Sequence, residues 1–302
     1  MKFFDLHCDT LYRAVDENKD LSENNFDVSL EKMKSFDKYV GCFAAWISDD
    51  YRGKAAFEKF KVMYDKLIES QGYGLKVCNA LGDIDKTCSG AVFTVENGAA
   101  LGGEISNVEL LKDLGVKVMT LTWNGSNELG DGIGVEKPKG ITRFGIEAVK
   151  NMEQNGIVVD LSHASEQLFY DVASVAKKPY IATHSNARGV CGHKRNLTDE
   201  QILAIKSVGG IIGVNFCDYF LRDGGGAKIS DVFKNIEYFL SMGCEDILCI
   251  GSDFDGAEMP SEITGIESVQ KIYDYCLAEN YPEELVDKIF FENAYNFFRG
   301  IF

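Results

Sequence analysis

With 302 residues, 45% of them hydrophobic and 26% charged, the chain has the composition of a globular protein able to build a sizeable core, which excludes extended disorder. A formal net charge of −16 repels phosphate backbones and anionic lipid, so neither nucleic acid nor a membrane surface is an expected partner. No Pro- or Ser-rich stretch or shift in composition marks a linker, and residues 1–302 are expected to form a single domain.

Eight runs rich in β-branched and apolar residues read as strands: 2–9, 39–48, 91–96, 117–123, 157–163, 180–184, 210–216 and 247–253. Between them, 55–70, 143–154, 166–176, 199–207 and 229–242 carry apolar residues at helical spacing, with capping residues such as Ser165 and Thr198 in front. Repeated β-then-α units imply a parallel sheet, and eight of them imply an α/β fold closed into a (β/α)8 TIM barrel. The tail, 266–302, adds helical segments split near Pro282, which are expected to pack on the outside. The Gly-rich stretch 223–228 lacks the Gly-Lys-Ser/Thr ending of a phosphate loop and reads as a turn before a helix. The stretch 124–134, after the fourth strand, reads either as a lid or as a long surface loop.

The nine cysteines are odd in number and show no Cys-x-x-Cys spacing, which points to reduced thiols and a reducing compartment. Met1 leads almost directly into the first strand, and no apolar run approaches about 18 residues, so the expected location is cytoplasmic.

Three of the four histidines, His7, His163 and His184, stand at the carboxyl ends of strand-like runs, which a parallel barrel gathers into one mouth. His7 and Asp9 share one face of an extended strand by period-two alternation and form a metal-ligand pair. Glu96 ends the apolar run 91–95, where a carboxylate needs a partner, and a cation supplies one. Three imidazoles and two carboxylates are too many for one catalytic zinc with an open position. Two ions fit better if Glu96 bridges: His7, Asp9 and Glu96 on one, Glu96, His163 and His184 on the other, at a separation of ~3.5–4 Å. The mixed nitrogen and oxygen set suits two Zn2+, with manganese, iron or cobalt as other occupants. Asp253 closes the last strand-like run, and His193 matches no ligand position and reads as a surface residue.

In combined order, the segments Asp5-Leu6-His7-Cys8-Asp9-Thr10, Val95-Glu96-Asn97-Gly98, Asp160-Leu161-Ser162-His163, Thr183-His184-Ser185, Arg195-Asn196 and Gly251-Ser252-Asp253-Phe254-Asp255-Gly256 resemble the membrane (renal) dipeptidase family of the amidohydrolase superfamily. The resemblance implies a zinc-dependent dipeptidase in which His7 and Asp9 hold one zinc, Glu96 bridges, and His163 and His184 hold the second. It further implies that Arg195 grips the substrate's terminal carboxylate and that Asp253 moves the proton between water and leaving amine. A small peptide, with a D-residue accepted at the carboxyl end, is the implied substrate, and the resemblance is compatible with a homodimer. One departure stands out. Where the family places a histidine after Leu-Thr, this chain has Leu121-Thr122-Trp123, so oxyanion stabilisation falls mainly to metal, and Trp123 with Trp46 is expected to shape an apolar substrate pocket. The rival readings are another hydrolase of the superfamily acting on acyl, lactam or phosphoester bonds, and a metal-binding barrel without turnover.

Overall fold

The computed structural model describes residues 1–22 and 24–302. Eight parallel strands form the wall: β1 (Lys2–Cys8), β2 (Lys38–Trp46), β3 (Ser89–Glu96), β4 (Val116–Thr120), β5 (Val158–Asp160), β6 (Tyr180–Ile181), β7 (Ile212–Val214) and β8 (Leu248–Ile250). Each pairs with its sequence neighbour, and β1 pairs with β8 through Asp5 and Ile250. A parallel bridge between Ala182, just past β6, and Ile212 of β7 joins the remaining edges, so the sheet closes into the expected TIM barrel.

The expected helices form at Gly53–Ser70, Arg143–Asn155, Glu166–Val175, Asp199–Ser207 and Ile229–Ser241. Ser165 and Thr198 cap two of them by accepting from Leu168 N and Gln201 N. In Ile229–Ser241 the buried Val232, Phe233, Ile236 and Phe239 recur at one-turn spacing and press one face onto the barrel.

Alternation divides the strand side chains between two environments. Phe3, Phe43, Phe93, Met119 and Val159 pack outward under the helices, while Phe4, Leu6, Val40, Cys42, Val92, Val118, Val158, Ile181 and Cys249 fill the interior. The C-terminal helix Asn293–Arg299 belongs with the second group. Its Phe298 is fully buried and stacks on Phe4 at 5.2 Å, and Phe291 and Ala294 join the same cluster. The tail therefore plugs the floor of the barrel rather than lying only outside it, because the interior ring of apolar side chains needs a lid at its amino-terminal end.

All the strands but β3 end sooner than their apolar runs. His163, His184 and Asp253 each lie three residues beyond β5, β6 and β8, in loops rather than on strands. Two buried aspartates explain the early exit by capturing backbone amides. Asp160 Oδ1 accepts from Ser162 N and Thr183 N, both at 3.0 Å, and Asp5 Oδ1 accepts from Ser252 N at 2.8 Å and His7 N at 3.3 Å. Once the side chain holds these amides, the chain leaves the ladder and turns over the mouth.

Candidate metal centre

In a regular strand His7 would share its face with Phe3 and Asp5 and point away from the interior filled by Phe4 and Leu6. The register between β1 and β2 slips between Asp5 and Cys8, and this irregularity turns Cys8 outward and His7 with Asp9 into the mouth. The two do meet, with His7 Nε2 3.2 Å from Asp9 Oδ2, but it is the bulge that aims them. Glu96 needs no such device, since Val92, Thr94 and Glu96 alternate inward along β3.

Glu96 is the hub. Its Oε2 lies 3.5 Å from His7 Nε2, and its Oε1 lies 2.8 Å from His163 Nε2 and 3.6 Å from His184 Nε2. His163 Nε2 and His184 Nε2 stand 3.1 Å apart, and Asp253 Oδ1 is 3.8 Å from His7 Nε2. All six residues are buried. His163 and Asp253 occupy left-handed backbone, φ +66° and +65°, a strained conformation for non-glycine residues that costs about 1–3 kcal/mol each. Gly256 must lack a side chain, because a Cβ there would overlap Asp9 Oδ2.

Hydrogen bonds around the rings set their tautomers. Asn124 Oδ1, 3.0 Å from His163 Nδ1, can only accept, so Nδ1 carries the proton and Nε2 turns a lone pair inward. Thr120 and Thr183 donate to Asp160 Oδ2 at 2.6 Å each, which leaves the Thr183 oxygen to accept from His184 Nδ1–H at 2.8 Å. Nε2 of His184 is therefore also a lone pair. Burial pushes His163 and His184 well below the ordinary histidine pKa, helped by the charges of Arg195 and His7, so both rings are neutral. For His7, burial is outweighed by the Asp9 and Glu96 carboxylates, and its pKa rises well above the ordinary value. Burial and the Asp9 charge lift Glu96 to about 8, and burial raises Asp253.

These residues fit divalent metal on three observations. Two neutral imidazole lone pairs converge on one carboxylate oxygen. Asp9 Oδ1 is buried without a hydrogen-bond partner. Among the described residues, three buried carboxylates, Asp9, Glu96 and Asp253, face His7 as the one side-chain cation within 4 Å. Among the described residues, His7, Glu96 and His184 form one ligand-competent trio, and His7, Asp9 and Asp253 another.

Around the centre lies a cavity of about 330 Å³, lined on one side by Tyr12, Trp46 and Trp123 and on the other by Tyr219 and Phe220. Trp46 stands edge-on to Tyr12 at 4.5 Å and to Trp123 at 5.0 Å, so both tryptophans face the mouth. Arg195 is 6% exposed, and its Nη1 and Nη2 donate to Ser185 Oγ (3.1 Å) and His184 O (3.3 Å) while Nε has no partner. Burial lowers its pKa, opposed by Asp253 and Glu96. His193 is not a free surface residue: its ring packs on Phe220 at 4.6 Å, and its Nδ1 accepts from Arg195 N. Asp218 folds back the Gly-rich turn at 223–228 by accepting from Gly226 N and Ala227 N.

Two contributors escaped the sequence reading. Asn215, one residue past β7, donates to Asp253 Oδ2 at 2.8 Å and to His184 O at 3.3 Å. Asn124 orients His163 as described. The signal for Asn215 was the polar residue ending an apolar strand run, the same one that marks Glu96; Asn124 had none, since loop asparagines are common.

A model of the membrane dipeptidase family, peptidase family M19, matches residues 1–301. An uncharacterized protein in the pqqA 5′ region of Klebsiella pneumoniae is 31% identical over 242 residues, covering 76% of this chain and 89% of that protein. A metallopeptidase from Rhodobacter sphaeroides, solved with a phosphinate mimic of the dipeptide L-Ala-D-Ala, superposes with a TM-score of 0.92 at 25% identity, covering 100% of this chain and 99% of that one. Dipeptidase AC, a metallopeptidase of family M19, gives a TM-score of 0.91 at 27% identity, covering 98% of this chain and 97% of its own.

Proposed function

The chain belongs to the membrane dipeptidase family, and from that premise we propose that it hydrolyses dipeptides at two divalent metal ions, zinc by preference, held by His7, Asp9, Glu96, His163 and His184. Membership makes it a metallo-dipeptidase, a hydrolase of peptide bonds. The observation that carries the two-ion reading is the position of Glu96 between His7 on one side and the paired lone pairs of His163 and His184 on the other.

Two such ions supply Lewis acidity and a water of lowered pKa. The protein's residues do the rest. Asp253, raised by burial and steadied by Asn215, accepts the attacking water's proton and returns it to the departing amine. Arg195 turns its guanidinium toward the substrate's free carboxylate, which restricts the site to very short peptides. The loops after β6 and β7 that carry Arg195, Tyr219 and Phe220 lie across the barrel from those after β2 and β4, so the amino-terminal side chain meets Trp46 and Trp123. Because Trp123 carries no charge, stabilising the carbonyl oxygen would fall mainly to metal once bound. The mimic bound to the Rhodobacter relative supports a D-residue at the carboxyl end.

No helix among the described residues is long and apolar enough to cross a membrane. All nine cysteines are free and eight are buried, which supports a cytoplasmic setting; a homodimer completes the reading and is checked by light scattering. The deciding assay is amine release from a panel of L,L- and L,D-dipeptides, with added zinc and then with chelator. Chelator-sensitive hydrolysis is expected. Two retained ions with no turnover on any substrate would mark a metal-binding barrel instead.

A further inference from the structure

The loop 124–134 is a long, partly exposed loop that is tied to the site at both ends. Gly125 N donates to Asp49 Oδ2 (2.6 Å), Asn127 Nδ2 to Asn97 Oδ1 (2.8 Å) and to Leu121 O (2.7 Å), and Ile133 N to His163 O (2.8 Å). Gly134 N donates back to Asn124 O at 2.7 Å, and the loop bridges Ala164 through Gly132. The approach is so close that a Cβ at Gly132 would overlap Trp123 O, and one at Gly134 would sit 2.7 Å from Asn124 O. Within the loop, Leu129 and Gly130 are buried.

This clamp fixes the peptide of Asn124, whose side-chain Oδ1 holds His163 Nδ1 at 3.0 Å. The His163 backbone sits at φ +66°, a conformation that persists where the surrounding structure holds it. The other ring of the pair has a different anchor, since His184 hangs on Thr183 and the buried Asp160. Asn124 therefore holds the His163 ring alone, while the backbones that carry the two rings share Asp160 and Ser162.

We propose that Asn124 is the positioning residue for His163, with the loop 124–134 as the clamp that aims it, so that retention of the second ion is set by a neutral amide outside the ligand set. This rests on the reading of His163 as a ligand of that ion. An outer partner that fixes a ligating histidine is worth about 10–100-fold in metal affinity.

The test loads the whole protein with zinc, challenges it with a chromogenic chelator, and follows release of each ion alongside kcat and KM for a hydrolysed dipeptide. Asn124→Ala is expected to release one ion about 10–100-fold more readily while the other stays, with kcat falling more than KM rises. Asn124→Asp, which keeps an acceptor on His163 Nδ1, restores retention, and Gly132→Ala, which displaces the clamp by pushing on Trp123 O and leaves the Asn124 and His163 side chains intact, reproduces the selective loss. Wild-type release from Asn124→Ala, or equal loss of both ions from a variant with unchanged circular dichroism, would overturn the proposal. His163→Ala separates the two ideas: if it keeps both ions, the ligand reading fails; if it loses one while Asn124→Ala does not, only the positioning role fails.

Discussion

The floor and the mouth of the barrel are built from the same strands a few residues apart, yet they reach stability by opposite means. On β1, Phe4 stacks against Phe298 of the C-terminal plug, and His7 enters a cluster of carboxylates; on β3, Val92 joins the floor and Glu96 the mouth. Floor residues are satisfied by contact within the chain, each buried phenylalanine contributing about 1.5–3 kcal/mol. The mouth concentrates buried like charge, left-handed backbone at His163 and Asp253, and an unpartnered Asp9 oxygen. The contrast teaches where strain is tolerated: a rigid, self-sufficient floor and wall hold the mouth in a geometry that the mouth residues would not keep by themselves.

That contrast can be broken most sharply at the proposed metal ligands. His163→Ala should cut dipeptide turnover by well over about 100-fold while leaving circular dichroism unchanged; a fully active variant would remove the two-ion assignment. Asp253→Asn comes next, with kcat lowered by about 10²–10⁴-fold at nearly constant KM and both ions retained by metal analysis. A change in KM alone would instead make Asp253 a binding group.

On the floor the effect moves from rate to stability. Phe298→Ala opens a void under Phe4 and should lower the unfolding free energy by about 3–5 kcal/mol in denaturant titrations, with metal content unchanged. Loss of an ion in that variant would show that floor and mouth are coupled. The smallest expected effect is that of removing a single ion on folding: at free metal about 100 times its dissociation constant, one ion contributes about 2.7 kcal/mol, so its loss should lower Tm in calorimetry. Because the two regions are well separated, that decrement should be the same in wild type and Phe298→Ala.

The sequence by itself determined the parallel barrel, from eight apolar runs separated by helical patterns, and it named the histidines and carboxylates that lie beside Glu96, though not Asn124 or Asn215. Scarce residue types made this readable: a polar side chain ending an apolar run is conspicuous, and histidine is rare here. Tertiary structure decided what no local pattern encodes. The slip in β1 that aims His7, the capture of loop amides by Asp5 and Asp160, the plug formed by Phe298, and the placing of Asn124 and Asn215 against the site all depend on groups far apart in sequence. Alternation reports which face a strand residue occupies only while the ladder stays regular, and at the mouth side-chain hydrogen bonds replace the ladder.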